Sequence, residues 1–219
     1  MRAYIAEFIG TCIFTATVLA VTLSASDLAP LTIGAALMAM VYASAHLSGA
    51  HFNPAISLAA VIRGTLAIVD VVPYFAAQLL GAFAAYLLMF GTYGDQLDLV
   101  SSSLDLGGLV VAAFLAELVF TFALVWVYLS TMTSSVHAGN SFYGLAIGGT
   151  VAAGTAVAGP ISGAALNPVV AFALSLAGIF AWKWLAIYVF AQLLGATLAA
   201  VAFLGLNPDA RDIASTSSH

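Results

Sequence analysis

Six stretches of this chain, residues 3–24, 30–46, 71–91, 107–130, 142–158 and 181–204, are apolar and close to the length needed to cross a bilayer. Spanning about 30 Å of hydrocarbon takes roughly 20 residues of α-helix, and only helices or closed barrels satisfy their backbone there. Only 6% of the residues are charged against 63% hydrophobic, and the mean hydropathy is +1.13, too little polar surface to cover a water-soluble globule. The single cysteine, Cys12, permits no internal disulfide. The formal charge of −5 rests on few groups and points to no nucleic-acid partner.

The chain also repeats itself. Ser48-Gly49-Ala50 precedes Asn53-Pro54 as Ser162-Gly163-Ala164 precedes Asn167-Pro168, a step of 114 residues. The same step carries Tyr74, Gln78 and Gly81 onto Tyr188, Gln192 and Gly195, and a step of 110 carries Glu7 and Thr11 onto Glu117 and Thr121. Two apolar pieces, 53–62 and 167–178, are half the length of a span, and each begins at its Asn-Pro. With three full spans per half, the second copy enters the membrane from the opposite side, so the repeats are inverted. The expected architecture is all-α integral membrane: six transmembrane helices plus two re-entrant half-helices. Residues 1–106 form the first repeat, 107–205 the second and 206–219 a polar cytoplasmic tail. Arg2, the first apolar run and Ser24-Ala25-Ser26 also fit a cleavable leader, but a leader needs no internal copy. Arg2, Arg63 and Arg211 fall on one side and Lys183 on the other, which argues for cytoplasmic termini; Asp27, Asp95, Asp98 and Asp105 then lie outside.

Asn is a strong N-cap and Pro is preset for the first helical position, so each Asn-Pro reads as an abrupt helix start. Two such starts, inverted, meet near the bilayer centre, each bringing the positive end of a helix dipole of roughly half a charge. With the Asn oxygens spent on capping, the NH2 groups of Asn53 and Asn167 are expected to remain free as donors. The dipping segments, with backbone at Gly49, Ala50, His51, Gly163 and Ala165, have to be buried in protein or line a wet passage. A row of carbonyls leading to two amides, under a cation-repelling potential, suits small neutral cargo.

His46-Leu-Ser-Gly-Ala-His51-Phe-Asn53-Pro-Ala55, the second Asn167-Pro168-Val169, Glu7 with Glu117, and the paired Gln78-Leu-Leu-Gly81 and Gln192-Leu-Leu-Gly195 resemble the aquaporin and aquaglyceroporin family over nearly the whole chain. The resemblance implies a passive, non-enzymatic channel for water and small neutral solutes such as glycerol, urea, ammonia or hydrogen peroxide. It implies a homotetramer in lipid with a pore in each subunit, and no cofactor. It places Asn53 and Asn167 at the pore midplane and assigns the selectivity filter to Ile33, Thr155, Ala164 and Val170. The last position is usually Arg in the family. With Val170 the filter loses a fixed cation and several donors and is expected to be wider and less polar, although an apolar neck can also dewet.

Glu7 and Glu117 are expected to tie down the re-entrant backbone as buried structural acids, since a buried charge has to be paired. No ligand-type side chain stands at helical spacing from His46 or His51, so no metal is expected. His137 reads as a solvated loop residue and only a weak candidate for gating; Trp182 and Trp184 read as an interfacial belt. A secondary transporter with a midplane site is the alternative, with Glu7 and Glu117 the only acids it could use inside the membrane. Compact loops point to a plasma or inner membrane of prokaryotic type.

Overall fold

The computed structural model describes residues 1–97 and 104–208. Asp98, Arg211 and the tail beyond 208 lie outside the described residues. Six long helices, α1 (Arg2–Leu23), α2 (Ala29–Ser48), α4 (Val71–Leu97), α5 (Val110–Thr133), α6 (Tyr143–Ser162) and α8 (Leu185–Leu206), accompany two short ones, α3 (Pro54–Arg63) and α7 (Pro168–Leu176). All six long helices have the length and hydropathy of membrane spans; even α2, with 20 residues, is about 30 Å long at 1.5 Å per residue. Their outer faces carry large apolar side chains such as Leu80, Leu88, Val111 and Phe190, as contact with lipid requires.

The duplication seen in the sequence is a duplication of packing. In the first half α1 lies along α4 and α2; in the second α5 lies along α8 and α6. The short helices cross between halves, α3 against α8 and α7 against α4. Residues that the repeat equates, Gly34 and Gly148, face each other where α2 crosses α6: a Cβ on Gly34 would lie 2.5 Å from the Gly148 oxygen, and one on Gly148 2.4 Å from the Gly34 oxygen. Gly81 and Gly195 likewise admit the backbones of α1 and α5, at Phe8 and Leu118.

Matched polar clasps tie the helix starts of each half. Tyr4 Oη donates to Asp70 Oδ1 (2.7 Å), joining the starts of α1 and α4. Lys183 Nζ (2.8 Å) and Trp184 Nε1 (2.9 Å) donate to Asp105, joining the starts of α5 and α8. Trp184 is therefore fixed by Asp105, whereas Trp182 is exposed in the manner of a belt residue. Three spans separate the clasps, so they lie on opposite faces of the bundle, here called the amino-terminal face (Tyr4, Asp70) and the turn face (the α1–α2 turn, Asp105, Lys183).

Helix ends differ from the apolar runs. α6 continues past Pro160 to Ser162, where the run had ended at 158. The ring stands in the last turn, so only one ladder bond is forfeited, and Gly163 N still donates to the Gly159 oxygen (2.9 Å). α4 continues to Leu97 through a non-helical Tyr93 (φ −127°, ψ 19°). α8 is preceded by a single 3-10 turn at Trp182–Trp184.

Candidate functional site

Each half-helix is reached through a left-handed turn. After α2, Gly49 (φ +82°), Ala50 (+52°) and Phe52 (+50°) have positive φ; after α6, Gly163 (+81°), Ala164 (+49°) and Leu166 (+49°) repeat the path. Glycine adopts this region freely, but the four non-glycine residues cost about 1–2 kcal/mol each. The Phe52 ring is housed against Gly10, where an added Cβ would overlap it.

Two buried carboxylates hold these turns. Glu7 Oε1 accepts from Ser48 Oγ (2.6 Å) and His51 N (2.9 Å), and its Oε2 from Phe52 N (2.7 Å) and Gln78 Nε2 (2.8 Å). Glu117 Oε1 accepts from Ser162 Oγ (2.7 Å) and Ala165 N (3.0 Å), and its Oε2 from Leu166 N (2.8 Å) and Gln192 Nε2 (2.7 Å). Position for position, the two sets are copies. Tyr74 Oη adds a bond to the Ser48 oxygen (2.8 Å), and Tyr188 Oη one to the Ser162 oxygen. Hydrogen bonds to a charged group contribute about 1.5–3 kcal/mol each, so four outweigh the strain of one turn.

The half-helices then meet. Asn53 Oδ1 caps Ala55 N (2.8 Å) and Asn167 Oδ1 caps Val169 N (3.1 Å). Contrary to the expectation from capping, their amide nitrogens are not free. Asn53 Nδ2 donates to the Leu166 oxygen (2.9 Å) and Asn167 Nδ2 to the Phe52 oxygen (2.8 Å), stitching each cap to the opposite turn. An amide nitrogen carries two hydrogens, so one per Asn is not used by these bonds. At its other end α3 is anchored by Arg63, which donates from Nη2 to the Thr133 oxygen (3.3 Å) and lies over the Phe203 ring.

From the turn face a cavity of about 690 Å³ enters the bundle, lined by Ile33, Thr155, Ala164 and Val170 together with Gly163 and Ala165. It ends at a neck of about 10 Å³ lined by Asn53, Asn167, His51, Phe52, Leu166 and Ala165. That is about the room of one water molecule. Ile33 and Val170 are buried, and Thr155 is half-buried with an Oγ1 that has no partner among the described residues. Gly49 and Ala50 lie in the turn beside the neck; the Gly49 oxygen accepts from Tyr128 Oη (2.9 Å). His51 Nδ1 lies 3.0 Å from Ser57 Oγ, and its ring packs against Tyr74 and Tyr128. His137 is half-buried, with Nδ1 2.9 Å from the Ser130 oxygen. Among the described residues no three His, Cys, Asp or Glu side chains gather as a metal site.

Residues 1–203 match the family described as Major intrinsic protein. The chain belongs to that family. Among its relatives, the "Probable aquaporin TIP-type alpha" of Phaseolus vulgaris is 36% identical over 93% of this chain and 84% of its own length. "Aquaporin NIP1-1" of Zea mays is 34% identical over 93% of this chain and 74% of its own. The X-ray structure of the aquaglyceroporin from Plasmodium falciparum superposes with a TM-score of 0.75 over 91% of this chain and 93% of that one; at 24% identity the match shows a common fold. As a major intrinsic protein this chain is a multi-pass membrane channel of the aquaporin type, for water and small neutral solutes, and not an enzyme.

Proposed function

We propose that this channel passes water together with small neutral solutes through the space between the two Asn-capped half-helices, and that Val170, standing where the family usually has Arg, gives it a filter open to more than water. The observation that carries this reading is the cavity that admits Ile33, Thr155, Ala164 and Val170 to its wall and tapers to a single-water neck at Asn53 and Asn167. At that neck the N-termini of α3 and α7 converge, and their dipoles oppose cations. Each Asn offers its remaining amide hydrogen to a passing oxygen, which turns a water out of line with its neighbours and interrupts proton relay. The secondary-transporter alternative would require Glu7 or Glu117 as an exchangeable acid, but both are wholly engaged by the turns.

The repeats are assigned to residues 1–106 and 107–205, the amino-terminal face to the cytoplasm of a cell membrane, and the assembly to a homotetramer, as family membership supports. The test is solute flux into vesicles carrying the purified protein, with Val170→Arg beside the wild type. Arginine restores a cation and five donors to the cavity wall, so the solutes other than water that wild type carries, such as hydrogen peroxide, are expected to slow at least tenfold and water only a few-fold. Equal slowing of all solutes would remove Val170 from the filter.

A further inference from the structure

The internal repeat allows the two ends of the passage to be compared residue by residue. On the turn face the cavity wall includes Val18, Gly163 and Ala165. The step that carries Glu7 onto Glu117 carries Val18 onto Tyr128; the step that carries Asn53 onto Asn167 carries Gly49 onto Gly163 and His51 onto Ala165. The amino-terminal half therefore holds two rings, Tyr128 and His51, where the other half holds a valine and an alanine.

Both rings are fixed. Tyr128 Oη donates to the Gly49 oxygen (2.9 Å), and the Tyr128 ring meets His51 edge-on, with centroids 5.6 Å apart and planes at 89°. A Cβ on Gly49 would lie 3.3 Å from Tyr128 Oη and 3.2 Å from His51 Nε2, so the polar tips of both rings converge on this one glycine. His51 is held from behind by Ser57 Oγ at 3.0 Å and flanked by Tyr74 at 5.1 Å. Tyr128 itself is 3% exposed. The Tyr128 hydroxyl occupies one of the two lone pairs of the Gly49 carbonyl.

We infer that Tyr128, with His51, forms a second constriction on the amino-terminal side of the Asn pair, and that this constriction sets the upper size of the solutes carried. The inference rests on the channel reading and sharpens it: water, ammonia and hydrogen peroxide pass, while a three-carbon polyol admitted by the wide cavity stops behind Tyr128.

The test measures water and glycerol flux in vesicles carrying wild type, Tyr128→Val, Tyr128→Leu or Tyr128→Phe. Valine and leucine variants are expected to raise glycerol flux tenfold or more over a low wild-type value and water flux a few-fold. The phenylalanine variant keeps the ring and is expected to keep glycerol out. Two aliphatic variants are used so that a folding failure of one leaves the other to decide. Wild type that conducts water, with glycerol flux unchanged in the aliphatic variants, would overturn this inference alone. Absence of water flux in wild type and variants alike would overturn it together with the channel reading.

Discussion

Replacing Glu117 by Gln isolates the contribution of the carboxylate to the shape of the passage. The amide has the same size but exchanges one acceptor for an NH2 donor, facing either Ser162 Oγ and Ala165 N or Leu166 N and Gln192 Nε2. The Ser162 hydroxyl can rotate, and Gln192 can flip to present its Oε1, which has no partner among the described residues. The backbone N–H groups cannot adapt, so either orientation orphans Ala165 N or Leu166 N in a buried site, at about 1–3 kcal/mol. Adding the weakening of the remaining bonds from charged to neutral gives about 2–4 kcal/mol. The positive φ of Ala164 and Leu166 costs about the same, so the turn would be held only marginally. At about 2–4 °C per kcal/mol for a chain of this size, Tm is expected to fall by about 4–16 °C, with loss of water flux. Cys12, half-buried and the chain's one cysteine, provides the readout through a thiol-reactive dye during heating. Glu7→Gln is expected to behave alike, because its four bonds are the same four. Variants matching wild type in both Tm and flux would refute the claim that these carboxylates hold the turns.

Asp105 is held by the Lys183 ammonium and then by the Trp184 and Gly107 N–H groups at about 2, below its ordinary 3.8. A depressed folded pKa means that its contribution is complete above about pH 4 and is lost as pH falls toward 2. The Tm difference between wild type and Asp105→Asn should therefore be present at pH 5 and close by pH 2; a constant difference would contradict the assignment. Gly148→Val forces a branched side chain against the Gly34 oxygen, 2.4 Å from where its Cβ must stand. Overpacking costs typically about 1–3 kcal/mol, so thermal unfolding should show a Tm lower by several degrees, and an unchanged value would mean that the α2–α6 crossing yields without cost.

The spans were legible because hydropathy and length decide what crosses a bilayer, and the half-helices because Asn-Pro marks a helix start that the short apolar runs confirm by ending early. The repeat carried the site further than any single motif: Ser48, Glu7 and Gln78 and their copies are equated in the sequence, and those are the groups that meet in space. Other features were hidden for physical reasons. The bonds from Asn53 to the Leu166 oxygen and from Asn167 to the Phe52 oxygen depend on the distance between two turns 114 residues apart, which capping rules do not encode. Tyr128 gives no such signal because it breaks the repeat: its counterpart at the 110-residue step is Val18. The apolar run at 142–158 stops short of the end of α6 because hydropathy does not mark where a helix that continues through Pro160 to Ser162 ends.

Ala165 borders both the wide cavity and the neck, so a large ring placed there obstructs the passage between the half-helices. The decisive measurement is the osmotic shrinkage rate of vesicles carrying wild type or Ala165→Trp. A conduit at the Asn pair predicts wild-type vesicles that shrink well faster than protein-free ones, and Ala165→Trp vesicles that do not. Wild type no faster than bare lipid, or a tryptophan variant as fast as wild type, would contradict it.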